Sequence, residues 1–309
     1  MLNRYLTFYK PSIQFVVFCA ILSMSWLIGG SLIEMLNTRL TGLTSEQISD
    51  LKDISATLAN QLKLINSLLL VVSLLLPASL FAYLAYPEPM KYLGLRLDIK
   101  KHHWLWAIAL MVIAIPFTSL LEQWSQLIPA IGKSKELDDE YNKLAQSMLQ
   151  GSSPVDLVMN IAAMCLLPAF IEEIFFRGCL QQLLLNWMKK TPFLAILLVA
   201  VIFSAFHGQL SGFIPRVFLG LLLGLAYHYS GSIWVTMCMH ALNNFVTVLM
   251  VYLYNAKITQ VDMTKLPDTN LWLGLGSGLA VGGILYLFYK DRKPFILVEV
   301  DKTIEEPLP

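Results

Sequence analysis

Three small groups of polar residues interrupt an otherwise apolar stretch of sequence, and their types and spacing are those of a hydrolytic site. The first is Glu172, Glu173 and Arg177 in "IEEIFFRG"; the second is His207 in "FSAFHG"; the third is His240 and Asn244 in "HALNN". On a helix, Glu173 and Arg177 lie one above the other and can pair, whereas Glu172 is rotated by about 100°. One carboxylate is then neutralised by the arginine while the other faces a different partner. A carboxylate and a histidine that converge on one water act as general bases toward a carbonyl. A second histidine and an amide donate hydrogen bonds to the oxyanion that forms. Together these groups are competent for amide hydrolysis.

Glu172, His207 and His240 also supply the carboxylate and two imidazoles of a catalytic zinc set. No H-E-x-x-H occurs in the chain, so the sequence leaves open zinc, another divalent metal, or water activated without metal. Cys179 and Ser204 are the nearby alternatives for a covalent nucleophile. Each group also has a plainer reading. Glu173 and Arg177 make a sufficient structural ion pair, although that leaves Glu172 unpaired. A lone histidine near a span end reads as interfacial, and a histidine with an amide one turn away serves as hydrogen-bonded glue between helices. His102, His103 and His228 are weaker candidates for metal ligands and read as interfacial.

The elements that position these residues follow from composition. The chain has 309 residues, 56% of them hydrophobic and 14% charged, against about 25% charged in an ordinary soluble domain. Lipid is the natural solvent for the excess apolar surface. Ionisable groups in a span cost about 2.5–3.5 kcal/mol each on insertion scales, which makes them functional candidates by default. A net charge of +1 without a dense basic run gives no reason to expect nucleic acid. Cys19, Cys165, Cys179 and Cys238 share no C-x-x-C spacing, so neither a disulfide framework nor a cysteine metal site is suggested.

Apolar windows near 12–36, 62–86, 104–122, 155–188, 193–208, 212–228, 232–254 and 271–289 predict an all-α, polytopic membrane helix bundle of about eight transmembrane helices. It forms a single integral domain over 1–309, with a catalytic core at 155–250 and a short polar tail at 290–309. The first window lacks a cleavage site and reads as an anchor. The fourth is long, and Pro168 predicts a kink or break there, with a new helix starting near Ala169 and both glutamates in its first turn. Gly220 and Gly224, and Gly274, Gly278 and Gly282, repeat a spacing that lets helices approach closely. The loops at 37–61 and 123–154 read as a solvated cap, with a role in guiding substrate as the alternative.

Twelve lysines and arginines fall in the inner loops against eight in the outer ones, which puts both termini on the cytoplasmic side of a bacterial-type plasma membrane. From the Lys189–Lys190 turn the chain runs 17 residues back to Glu172 and 17 forward to His207, so antiparallel helices bring both to one level. His240 lies about 10 Å and Asn244 about 17 Å into the seventh span from the same side. One shared site is therefore expected.

The ordered set E-E-x-x-x-R at 172–177, F-x-x-x-H at 203–207 and H-x-x-x-N at 240–244 resembles the CPBP family, the CAAX prenyl endopeptidases and bacteriocin-processing or self-immunity proteins also called ABI. The segment "FLGLLLGLAYHYSGSIWVTMCMHALNN" resembles that family's third block. The resemblance implies an intramembrane endopeptidase acting on a peptide or protein substrate at the lipid bilayer. Carried across residue by residue, it has Glu172 activate water with His207, Glu173 and Arg177 support that carboxylate, and His240 and Asn244 bind the oxyanion. The family has been described both as a metalloprotease and as a glutamate-dependent protease, so the metal question stays open. The topology read from charge places the site toward the outer face, whereas the eukaryotic members cut at the cytosolic face. Either the substrates are extracytoplasmic or the topology is inverted beyond 155–188. The competing functions are a peptide-binding or bacteriocin self-immunity protein without catalysis, and a proton-coupled transporter, for which the expected pair of similar halves is missing. Arg216 is expected to snorkel to the interface, with Glu172 or a substrate carboxylate as the alternative partner.

Overall fold

The computed structural model describes residues 6–51, 53–95, 99–127, 133–261 and 268–292, and among them every regular element is a helix. In chain order the long helices are α1 Pro11–Thr41, α2 Ala56–Ala85, α3 Lys101–Gln126, α4 Lys133–Met148, α5 Pro154–Trp187, α6 Pro192–Ala205, α7 Phe213–Ser230, α8 Ile233–Asn255 and α9 Leu271–Lys290. Two short helices, Ser45–Asp50 and Pro89–Tyr92, lie in the connections. Seven helices (α1, α2, α3, α5, α7, α8 and α9) are long and apolar enough to cross a membrane. The predicted all-α polytopic bundle is the observed one, with one difference in the count. The expected fifth span is the 14-residue α6, about 21 Å long at 1.5 Å per residue, short of a hydrocarbon core of about 30 Å. Most of the expected tail at 290–309 falls outside the described residues.

Local chemistry sets the helix ends. Pro11 and Pro192 open α1 and α6 where a missing N–H is harmless. Ser153 and Asp156 form a reciprocal capping box at the start of α5, and the Asn270 side chain accepts from the Trp272 and Leu273 N–H groups at the start of α9. Gly42 and Gly231 end α1 and α7 in the left-handed region, with φ of 76° and 68°.

Helix α5 does not break at Pro168. It runs continuously through two wide π-type turns, Ile161–Leu166 and Ile174–Gln181. The first ends with the Leu167 N–H bonding the Ala162 carbonyl, five residues back. That wider turn absorbs the ladder bond Pro168 cannot make. Helix α2 repeats the device, with the Leu76 N–H on the Val71 carbonyl just before Pro77. Glu172 and Glu173 therefore sit in mid-helix and not in a first turn, and the helix dipole has no part in holding them. In α3 the disruption at Pro116 is repaired from α9: the Ser277 hydroxyl accepts from the Phe117 N–H at 3.2 Å and donates to the Ile113 carbonyl at 2.5 Å.

Two apolar clusters hold the bundle. One joins α1, α2, α5 and α6 through Phe18, Phe81, Phe175, Leu183 and Val199; the other joins α3, α7, α8 and α9 through Leu110, Leu223, Met239, Val281 and Phe288. Outside them, Leu27, Leu105 and Leu279 leave 75%, 66% and 80% of their surface free. Such outward leucines are lipid-facing in a membrane protein and would be an aggregation liability in water. The polar residues sit on α5, on α8 and in the turn after α6.

The glycine spacing partly describes close packing. A Cβ at Gly220 would meet the Ala200 Cα at 3.0 Å, a backbone atom of α6 that cannot yield alone, while Gly282 has nothing within 4 Å. Gly282 is thus not a packing glycine, contrary to the expectation from its spacing. Gly220→Val should cost about 1–3 kcal/mol by overpacking and lower the midpoint of thermal unfolding in detergent. Gly282→Ala should leave that midpoint within error of wild type; equal behaviour of the two variants would contradict the packing described.

Candidate active site

Glu173 is fully buried and tied on two sides. Its Oε1 accepts from Arg177 Nη1 at 2.8 Å and from His240 Nδ1 at 2.9 Å. Arg177, also fully buried, sends Nη2 to the Gly220 carbonyl at 3.2 Å. Its guanidinium carbon lies 4.8 Å from the centre of the Phe203 ring and 5.9 Å from that of Phe176. A cation at this depth needs a carboxylate, a carbonyl and aromatic faces together, since a buried charge left unpaired is strongly destabilising. The close approach of α7 at Gly220 is what brings the carbonyl within reach.

With Nδ1 committed to Glu173, His240 turns Nε2 toward the other carboxylate, 3.9 Å from Glu172 Oε2. That gap is too long for a hydrogen bond and is the size one water or one substrate oxygen bridges. Glu172 Oε2 accepts no hydrogen bond among the described residues. Glu173 Oε2 likewise lacks a hydrogen bond, so the two glutamates differ in two other respects: Glu173 is fully buried with Oε1 shared by Arg177 and His240, whereas 12% of the Glu172 side chain is exposed.

His207 lies just past α6, in the turn that follows Ala205. Its Nδ1 is 2.9 Å from the Phe203 carbonyl. A carbonyl only accepts, so Nδ1 carries the proton, and in the neutral ring Nε2 presents a lone pair. His207 lies within electrostatic range of both Glu172 and His240. Phe203 stands between the imidazoles, its ring centre 5.1 Å from that of His207 and 5.7 Å from that of His240. Asn244 follows His240 by one turn of α8, and Asn243 donates to its Oδ1 at 3.4 Å. The nucleophile alternatives are placed unfavourably. Ser204 donates its hydroxyl proton to the Phe213 carbonyl at 2.7 Å, and Cys179 is sealed in the apolar core.

The zinc set that is one version of the site is not drawn together as the side chains stand. Among the described residues, His102, His103 and Asp291 are the group that brings one metal-ligating atom each within 4.8 Å of one another, and Glu172, His207 and His240 do not form such a set. The Nδ1 atoms of His240 and His207 are held by Glu173 and by the Phe203 carbonyl, which leaves both Nε2 atoms unengaged among the described residues, as in a histidine that its other nitrogen orients toward a metal. Arg216, expected at the interface or on Glu172, instead donates to Gln209 Oε1 at 2.6 Å and to the Gln209 carbonyl at 2.5 Å.

The loops do more than present a solvated face. Helix α4 is anchored over the turn after His207: Asp138, nearly buried, accepts from the Leu210 and Ser211 N–H groups at 2.7 and 2.9 Å, and Gln209 donates to Asn142 Oδ1 at 2.8 Å. Its other side reaches the 43–54 connection, where Lys143 donates to the Leu51 carbonyl and Gln150, just past the helix, donates to the Ile54 carbonyl. Beneath the cap is a cavity of about 390 Å³, lined by apolar side chains such as Ile33, Ile48, Leu62, Ile65 and Leu144, and reaching His207. "KSKELDDEYNK" offered no mark separating Asp138 from its charged neighbours, so this anchor was not readable from sequence. Hydrogen bonds to a charged acceptor contribute about 1.5–3 kcal/mol. Asp138→Ala should therefore speed hydrogen exchange at the Leu210 and Ser211 amides by about tenfold or more, and unchanged exchange would show that Asp138 does not hold the turn.

Residues 154–246 match the family described as Type II CAAX prenyl endopeptidase Rce1-like, and that match supports a place among the CAAX-type intramembrane proteases of the CPBP family. The matched span runs from α5 into α8 and contains all six residues of the cluster. No curated protein and no solved structure matches the chain.

Proposed function

We propose that this integral membrane protease is an endopeptidase in which Glu172 and His207 activate the attacking water. The reading is carried by the asymmetry of the two glutamates: Glu173 is fully buried with Oε1 bound to both Arg177 and His240, while Glu172 is partly exposed, has no arginine or lysine in contact among the described residues and lies beside the His240 edge. Water held by Glu172 and His207 Nε2 gives up a proton as its oxygen bonds to the scissile carbonyl carbon. The carbonyl oxygen, now an oxyanion, receives hydrogen bonds from Asn244 and from Nε2 of His240 in its doubly protonated form, whose Nδ1–H stays on Glu173. When the C–N bond breaks, the electron pair goes to the leaving amine, which takes the proton held by Glu172 or His207. Glu173 and Arg177 touch no reacting atom; they orient His240.

The substrate is a peptide delivered at the membrane, with an apolar side chain or tail occupying the cavity beneath α4. That cavity opens at the bundle end away from Lys189–Lys190, which, with the orientation read from loop charge, gives an extracytoplasmic substrate.

The test is purified protein in liposomes with a quenched peptide carrying an apolar residue beside the scissile bond. Ser204→Ala and Cys179→Ala should retain turnover within about threefold of wild type, whereas His207→Ala should lose about 10²–10⁴-fold, the usual contribution of general acid–base catalysis. Loss of turnover in a folded Ser204→Ala or Cys179→Ala protein would replace water by a covalent nucleophile. Retention in His207→Ala would remove the histidine from the mechanism.

A further inference from the structure

Independently of the protease site, we infer a binding site for a late first-row divalent metal of the zinc class at the far end of the bundle, formed by His102, His103 and Asp291. The two histidines occupy the first turn of α3 and Asp291 directly follows α9, almost the length of the chain away. Helix α3 is about 39 Å long at 1.5 Å per residue, and its other end leads to α4 and the Glu172 side. The two sites are thus at opposite ends.

Two imidazole nitrogens and one carboxylate oxygen converge there within 4.8 Å of one another. His102 Nε2 contacts Asp291 Oδ2, and His103 Nε2 lies 3.2 Å from the same oxygen. The independent observation is His103 itself. It is fully buried, its Nδ1 has no hydrogen-bond partner among the described residues, and its Nε2 has only the 3.2 Å contact with Asp291 Oδ2, outside good hydrogen-bond geometry, although burying a poorly satisfied polar group costs free energy. A metal ion among the three residues would take up the Nε2 lone pair in place of that poorly aligned contact. Trp106 and Phe288 pack against the imidazoles and restrict their rotation, with ring centres 4.6 Å from His102 and 5.3 Å from His103. His102 is partly exposed and leaves a path for entry.

The neighbouring charges have defined places. Lys100 donates to Asp291 Oδ1 at 2.6 Å and to the Asp291 carbonyl at 3.0 Å, which turns Oδ2 toward the histidines. Arg292 lies over the Tyr289 ring, 4.1 Å from its centre. Lys100 therefore acts as the partner that orients a ligating carboxylate, and its positive charge lowers the affinity. Two imidazoles and one carboxylate match zinc, cobalt or nickel, not the all-oxygen shells of magnesium or calcium. Bound metal would join the start of α3 to the end of α9.

The experiment uses the full chain in detergent, stripped with chelator and titrated with zinc chloride or cobalt chloride alone. Wild type should bind one zinc per chain, give visible cobalt bands and unfold at a higher temperature with zinc. His102→Ala, at the exposed ligand, and Asp291→Asn should weaken binding at least tenfold and lose the thermal shift, while Glu172→Gln and His207→Ala keep both. Absence of zinc binding in wild type overturns the inference. So does binding that survives in His102→Ala and Asp291→Asn, or binding that disappears in Glu172→Gln.

Discussion

Glu172→Gln should reduce peptide-bond cleavage by about 10²–10⁴-fold, the scale of general acid–base catalysis, without lowering the unfolding temperature. The substitution keeps the size of the side chain and removes its basicity. It breaks no direct hydrogen bond at Oε2, because that oxygen has none, and the nearest partner, His240 Nε2, is 3.9 Å away. Glu173→Gln should behave differently although it is the adjacent residue. It weakens the acceptor shared by Arg177 and His240 and leaves a fully buried guanidinium without its counter-charge, so stability falls together with activity. Measuring turnover and unfolding on both variants separates the roles. If both lost activity with equal loss of stability, the division between a water-activating and a charge-pairing carboxylate would be wrong.

Arg177→Ala should have the largest effect on the fold, about 3–5 kcal/mol of destabilisation, the range for removing one partner of a buried ion pair. The variant strands Glu173 in an apolar interior, removes the donor to the Gly220 carbonyl and empties the space between Phe203 and Phe176. The double variant Arg177→Met with Glu173→Gln removes both charges and should cost less than the sum of the two single changes, since groups in direct contact are not additive. It should nevertheless remain inactive, because His240 loses the carboxylate that fixes its Nδ1. Thermal unfolding of the four proteins in one detergent gives the coupling, and additive costs would mean that the pair is not a unit.

The parts of this site legible in the sequence are those set by short helical spacing. The Glu173–Arg177 pair and the divergent direction of Glu172 follow from intervals of four and one. The common level of Glu172 and His207 follows from equal distances to the Lys189–Lys190 turn. Where local geometry departs from 3.6 residues per turn, that reading fails. Pro168 predicts a break, and the wide turn at Ile161–Leu166 carries the helix past it instead. Contacts made across long intervals were equally out of reach. Asp138 looks like any acid in a charged run until the turn at 209–211 is folded against it. His102 and His103 read as interfacial because nothing in the sequence connects them to Asp291. The Gly282 spacing is a correct helical interval with no neighbour opposite, which shows that a repeat of small residues is evidence of contact only once the partner helix is known.

The most direct test of the central claim compares membranes containing wild type with membranes containing Glu172→Gln at matched expression, using mass spectrometry to read the peptide ends in each. Glu172-activated hydrolysis predicts new ends, beside apolar residues and on the face away from Lys189–Lys190, that appear with wild type and are lost with Glu172→Gln. Identical sets of ends would contradict it and favour a membrane protein that binds peptides without cutting them.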